Sequence, residues 1–215
     1  MKLLLYKELR LAAHPLIYFF WLLSAMLLIP SYPYYVVFFY TTLGLFFVCL
    51  TGRENHDVEY TLSLPVRRRD AVAARFLFAL AVEGVQLILA VLAALLRRWL
   101  ALPDNAAGLE ANIAFFGLSL FLLGMFHLIF FPRYYKAPDK VGRAFAVASA
   151  ALFLLIVALE CCAHILPFFR DKLDTRDPQF LSEKLAVLAA GLILYLLLTL
   201  AAYHRSCRRF EALDL

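Results

Sequence analysis

From Leu11 to Gly52 the chain reads LAAHPLIYFFWLLSAMLLIPSYPYYVVFFYTTLGLFFVCLTG, 42 consecutive positions between Arg10 and Arg53 without a charged side chain. As a helix rising about 1.5 Å per residue, such a run extends about 63 Å, twice the ~30 Å hydrocarbon thickness of a bilayer. Pro30-Ser31-Tyr32-Pro33 divides it, because neither proline has a backbone donor to give a continuing helix. Two crossings are therefore expected here. The rest of the chain repeats the pattern. Arg75 and Arg97 enclose 21 residues interrupted only by Glu83, Glu110 and Arg133 enclose 22, Arg143 and Arg170 enclose 26 interrupted only by Glu160, and Lys184 and Arg205 enclose 20. Each is close to the roughly 20 residues that one crossing needs. The expected fold class is an all-α integral membrane protein forming one domain over residues 1–215. Its six transmembrane helices are expected near 15–29, 34–51, 72–96, 113–131, 144–166 and 185–203. Strands of a membrane barrel would instead alternate polar and apolar residues in segments of about ten.

Composition agrees. Apolar residues make up 64% and charged residues 17%, against about 45–50% and about 25% in ordinary soluble chains. Orientation follows from Lys and Arg. Fifteen lie on the side that holds both termini, among them Lys2, Lys7, Arg10, Arg53, Arg67, Arg68, Arg69 and Arg75. Only six lie opposite: Arg97, Arg98, Arg170, Lys172, Arg176 and Lys184. The excess places both termini in the cytoplasm. A sequence pI near 9.1 would suit nucleic acid, but these cations are spread along membrane borders facing anionic lipid headgroups, so no nucleic-acid partner is expected.

Lys7, Glu8 and Arg10 interrupt the first apolar turns, which argues against a signal peptide. A short interfacial helix fits better, with Leu4, Leu5, Glu8 and Leu11-Ala12 on neighbouring turns and Lys2, Lys7 and Arg10 reaching water; the alternative is a plain extension of the first span. No phosphate-loop, zinc-protease or nucleophile-elbow motif occurs. Cys161, Cys162 and His164 read as fillers near the end of span five rather than as a metal site. His127 is expected near a cytoplasmic border with no partner at metal-ligand spacing, and at a different depth from Glu83. Glu160 is expected to snorkel. Glu83, with Gln86 three residues on, marks a candidate intramembrane polar site. A charge at mid-membrane costs about 2.5–3.5 kcal/mol on insertion scales and should face other helices or a wet cavity. Its role is either to line a path or, with Gln86, to hold helices together. Gly117 and Gly124 share one face of span four, as close helix packing would require.

The inside loop Gly52–Asp70 is too polar for lipid yet carries Val58, Tyr60, Leu62, Leu64 and Val66 among its charges. Asn55 or Asp57 could cap a short helix there and Asp70 could cap span three, while Leu64-Pro65 breaks the chain between them. A short rigid element of mixed polarity suits docking to a soluble partner; a solvated connector is the alternative. The pattern Asn55-x-Asp57, then Leu62-x-Leu64-Pro65-Val66-x-Arg68-x-Asp70-x-Val72-x-x-Arg75, resembles the loop signature of permease subunits of bacterial ATP-binding-cassette exporters of the second permease type. Leu4-x-Tyr6-Lys7-Glu8-Leu9, Pro30-Ser31-Tyr32-Pro33, and Phe131-Pro132-x-Tyr134-Tyr135-Lys136 with Lys140-Val141-Gly142-Arg143 resemble other blocks of those subunits. Pro138 and Asp139 depart from them.

The resemblance implies a subunit of the bacterial cytoplasmic membrane that pairs with a second permease, homo- or heterodimeric, and binds a separate cytoplasmic ATP-binding subunit. No cofactor is expected on this chain itself; ATP and Mg would enter through that partner, and the chain would be a transport subunit rather than an enzyme. The loop would be a coupling helix, with Glu54, Asn55, Asp57, Tyr60, Leu62, Leu64, Pro65, Arg67 and Arg68 meeting the ATPase. Alternating access would export an amphipathic peptide, drug or lipid. The alternative is a non-transporting adaptor that recruits a cytoplasmic protein through residues 53–70.

Overall fold

The computed structural model describes residues 2–12, 14–63 and 65–213. Helix dominates, and no strand occurs among the described residues. Five helices are long and apolar enough to cross a membrane: Tyr35–Glu54, Arg68–Trp99, Ile113–Lys136, Pro138–Ile165 and Leu181–Glu211. In chain order the α-helices are α1 (Lys2–Lys7), α2 (Leu16–Leu22), α3 (Tyr35–Glu54), α4 (Asp57–Ser63), α5 (Arg68–Trp99), α6 (Ile113–Lys136), α7 (Val141–Ile165) and α8 (Leu181–Glu211).

The first expected span differs in form. Seven residues of α2 continue as six residues of 3-10 helix, Leu23–Leu28, together about 22 Å long at ~1.5 and ~2.0 Å per residue. Its partners are spread along α5. Trp21 Nε1 donates to the Val82 carbonyl at 3.2 Å, Gln86 donates to Ser24 Oγ at 2.7 Å, and the Leu27 carbonyl lies 3.5 Å from Arg97. Trp21 to Leu27 thus runs beside the stretch of α5 from Val82 to Arg97, which measures about 22 Å along the helix axis.

Packing is tightest between α6 and α8. A Cβ placed on Gly117 would sit 2.6 Å from the Leu188 Cα, one on Gly191 would sit 2.0 Å from the Gly117 carbonyl oxygen, and one on Gly124 would sit 3.0 Å from the Tyr195 Cα. Matching steps of seven on both helices show that they run parallel with their backbones in contact. This is the close approach that small residues allow where apolar burial gives helices no reason to associate. α6 is the most enclosed helix and α7 the least. Phe115, Phe126, Phe130, Phe131 and Tyr134 of α6 fill the bundle centre, while Phe153 and Leu154 of α7 and Ile193 and Leu197 of α8 are exposed, as suits surfaces facing lipid. α6 also continues through Pro132 to Lys136, about one turn beyond its expected end.

Candidate functional site

The loop after α3 folds into the short helix α4. Asn55 ends α3, its N–H donating to the Thr51 carbonyl, and His56 takes a left-handed conformation (φ 51°) that turns the chain before Asp57 begins α4. Helical spacing then sorts the side chains. Val58, Thr61 and Leu62 turn toward the bundle, while Glu59, Tyr60 and Ser63 turn away, Tyr60 with 57% of its surface exposed. Glu54, Asn55, Pro65 and Arg67 extend this exposed face. Leu64 lies outside the described residues.

Asp57 does not serve as a free cap. Its carboxylate is held by Lys7 Nζ at 2.5 Å and by Arg75 Nη2 at 2.7 Å. Arg75, buried in α5, also pairs through Nε with Glu8 at 2.7 Å, and Lys7 donates to Thr61 Oγ1 at 2.6 Å. Two cations and two carboxylates therefore pin α4, the N-terminal helix and the start of α5 at one point, beside Tyr134, Tyr135 and Phe210. The expectation that Lys7 reaches water is corrected: its side chain is only 12% exposed, because Asp57 and Thr61 draw it inward. Burial pushes the Glu8 carboxyl above its usual range, opposed by the neighbouring Arg75 charge. A buried ion pair often costs more in lost hydration than it regains by attraction, and that direction is what such a site should show.

The arginine run divides by role. Arg68 donates through Nη1 to the carbonyls of Phe210, Glu211 and Leu213 at 2.8–3.0 Å, placing a cation on the negative end of α8. Arg69 pairs with Glu211 at 2.5 Å, which raises the Arg69 pKa and lowers that of Glu211. Arg67 is exposed. The sequence reading set Arg68 against a partner protein; the structure sets it against the chain's own last helix. Asp70 likewise does not cap α5. Arg67 is the residue preceding the helix, and Asp70 lies in the first turn without a side-chain cap bond, favourable there through the helix dipole alone.

A second polar cluster lies inside the bundle. Glu83 and His127 are both fully buried and 2.9 Å apart, so the expectation of different depths is corrected. Tyr195 OH donates to the other Glu83 oxygen at 2.5 Å, and His127 Nδ1 lies 2.9 Å from Thr199 Oγ1. Four polar groups thus join α5, α6 and α8 inside a wall that includes Phe76 and Phe131. Gln86 does not share this cluster; it turns to Ser24 on the other side of α5. Three residues around a helix rotate a side chain by about 300°, enough to serve different neighbours. Glu160, half-buried, reaches the loop between α5 and α6. It accepts the Leu109 N–H at 3.1 Å and packs against Gly108, where a Cβ would sit 1.8 Å from the same carboxylate and displace it.

Lys7, Glu8 and Arg75 stand in separate family-like blocks of the sequence, with nothing there to show that they meet. Tyr195 and Thr199 gave no signal beyond polarity in an apolar run. Among the described residues no group of three His, Cys, Asp or Glu side chains is arranged to hold a metal ion. No curated protein and no solved structure matches the chain. The family model described as ABC-2 family transporter protein matches residues 3–211, which takes in α4, its ion-pair junction and every membrane helix. The chain therefore belongs to the ABC-2 family of transporter proteins, multi-pass membrane permease subunits of ATP-binding-cassette transporters.

Proposed function

We propose that the chain is the membrane half of an exporter of the bacterial cytoplasmic membrane, powered by a separate ATP-binding subunit that docks on α4 and supplies ATP and Mg. The chain itself catalyses no covalent step and holds no cofactor. It acts as one domain with both termini in the cytoplasm and six crossings. The contacts of Trp21, Ser24 and Leu27 along about 22 Å of α5, from Val82 to Arg97, support counting the short first segment as a crossing. The asymmetry of Lys and Arg supports the orientation.

The observation that carries the reading is the anchoring of α4. A coupling helix must be rigidly tied to the bundle on one face and free on the other. α4 is tied by Asp57 to Lys7 and Arg75 and presents Glu54, Asn55, Tyr60, Pro65 and Arg67 outward. Leu62 stabilises the inner face, and Leu64 continues the segment that meets the partner. A second permease subunit completes the path between two copies, and the cargo is an amphipathic peptide, drug or lipid moved by alternating access.

The test is co-expression with the cognate ATPase, using Tyr60→Cys as a cross-linking site and ATP-driven flux in proteoliposomes as the readout. Cross-linking at Tyr60→Cys with ATP-dependent flux is the expected result. Capture of a cytoplasmic protein without ATP-dependent flux would establish the adaptor reading instead.

A further inference from the structure

We infer that the end of the bundle opposite the chain termini holds a binding site for an anionic phospholipid, its acyl chain in a cavity against α5 and its phosphate at Arg98 and Arg176. The inference is independent of the ATPase reading.

The cavity has a volume of about 510 Å³, within the ~300–1,000 Å³ of small-ligand sites. Its wall is aliphatic and aromatic, drawn from three helices: Val91 and Leu95 of α5, Phe116 and Leu120 of α6, and Leu188 of α8. Val91 and Leu95 are 41% and 57% exposed, so the site opens sideways to the membrane and is not sealed. Water in such a slot would have few polar partners. A hydrocarbon chain fits better.

The depth of the slot argues for a lipid of one leaflet. Its α5 wall runs from Arg98 to Leu87, eleven residues or about 16 Å, roughly half of the ~30 Å hydrocarbon core. One acyl chain anchored at the interface spans this distance. Trp99, 81% exposed at the end of α5, lies at the level where interfacial aromatics gather.

Charge at the mouth selects the head. Five ionic side chains line it, and most are committed. Arg97 Nε pairs with Glu110 at 2.8 Å, and Glu110 also accepts the Asn105 N–H. Asp177 pairs with the buried Lys184 at 3.0 Å. Arg176 pairs with Asp104 at 2.6 Å while its side chain stays 56% exposed. Arg98 lines the mouth, is exposed and has no ion-pair partner among the described residues. The uncompensated charge is therefore positive. A phosphodiester complements it, whereas a zwitterionic head brings its own cation to the same place.

The chain has two tryptophans, and Trp21 packs against the Val82 backbone away from this site. In a Trp21→Phe background Trp99 reports alone. The purified full chain is reconstituted in phosphatidylcholine nanodiscs with increasing mole fractions of bromine-labelled phosphatidylglycerol or bromine-labelled phosphatidylcholine. Quenching of Trp99 is expected at about fivefold lower mole fraction of the anionic lipid, the factor that ~1 kcal/mol from the one uncompensated arginine, Arg98, gives. Arg98→Gln with Arg176→Gln should remove the preference while leaving helicity and elution volume unchanged. Ala94→Phe, which fills the slot, should reduce quenching by both lipids.

Equal quenching by the two lipids in the parent protein would overturn the site, as would an undiminished preference in the arginine double variant. Competition by millimolar inorganic phosphate would reassign the arginines to a soluble anion. Quenching by neither lipid in a dimer, restored on dissociation, would assign the cavity to a second copy of the chain.

Discussion

Replacing Arg75 by Met isolates the junction that the proposed function depends on. Arg75 is 5% exposed and faces two carboxylates, Glu8 through Nε at 2.7 Å and Asp57 through Nη2 at 2.7 Å. After the substitution Asp57 keeps Lys7 at 2.5 Å, whereas the nearest cation to Glu8 is Lys7 at 3.8 Å, already engaged. A buried carboxylate is then left with one distant, shared cation, which costs up to about 3–5 kcal/mol. Denaturant unfolding in mixed micelles, followed by helicity, should show a loss of that size. Adding Glu8→Gln should recover a large part of it, because the stranded charge is removed and only a neutral amide remains buried. Arg75→Lys should fall between, since an ammonium is a point charge that cannot fork to two carboxylates. A loss below about 1 kcal/mol, the value of an exposed pair, or no recovery in the double variant would refute a buried, mutually compensated network. Coupling gives an independent readout. With the ATPase bound, Arg75→Met should hydrolyse ATP while losing flux, because α4 keeps its outer face and loses its tie to α5.

Gly191→Ala places a methyl 2.0 Å from the Gly117 carbonyl oxygen; separation of α6 and α8 should cost about 1–3 kcal/mol, read as a lower unfolding midpoint, with Gly84→Ala, which meets nothing within 4 Å, as the neutral control. Glu83→Leu strips His127 and Tyr195 of their shared acceptor. At about 0.6–1.7 kcal/mol for each interhelical bond in a membrane, a loss of about 1–3 kcal/mol is expected, and Glu83→Gln should lose less; equal losses would argue against the bonded arrangement. Because burial raises the Glu8 pKa, the native chain binds this proton more tightly than the unfolded one. Its contribution is therefore fully present below the ordinary value of 4.5 and is lost as pH rises through the elevated one. Glu8→Gln should flatten that part of the stability profile. Arg68→Gln frees three carbonyls at the end of α8 and should raise amide exchange locally over residues 205–211, leaving exchange at Gly117–Gly124 unchanged.

Much of the helical frame was legible in the sequence because charge-free runs of about 20 residues have few other uses. The short α2 with its 3-10 continuation was less so, since hydropathy measures what a segment can enter and not how tightly it winds. Helix packing at Gly117 and Gly124 was readable from spacing on one face. Gly191 was not, because its meaning lies in the Gly117 backbone opposite, a contact that exists only once α6 and α8 are parallel. The α4 loop announced itself through mixed polarity, but the fates of its charges were hidden. Arg67, Arg68 and Arg69 look alike in sequence, and only the return of α8 to the same surface gives two of them partners on Phe210–Leu213. Periodicity ranks positions along one helix and says nothing about the rotation of a second. That is why Glu83 was matched with Gln86 on its own helix when its partners are His127 and Tyr195 on two others.

α5 connects these parts. It is continuous from Arg68 to Trp99 and carries Arg75 at the α4 junction, Glu83 in the buried cluster, and Arg97 at the far end, where Arg97 binds Glu110 and lies over the Tyr34 ring. Arg75 to Glu83 is about 12 Å and Glu83 to Arg97 about 21 Å along the axis. A helix with intact backbone bonds transmits a displacement of one end to the other, whereas a loop absorbs it. On the proposed reading, a push on α4 therefore reaches Arg75 through Asp57, and α5 can move as a rod only if the Glu83 contacts and the Arg97–Glu110 pair are exchanged or carried along. The same motion shifts the Val91–Leu95 wall of the lipid cavity. An occupied cavity and the α4 junction should then be linked reciprocally, since coupling between two sites acts equally in both directions. ATPase binding should alter the mole fraction of anionic lipid that half-quenches Trp99, and Arg75→Met should abolish that change while leaving the lipid preference intact. A preference that ignores the ATPase in the parent protein would show that α5 does not join the two ends.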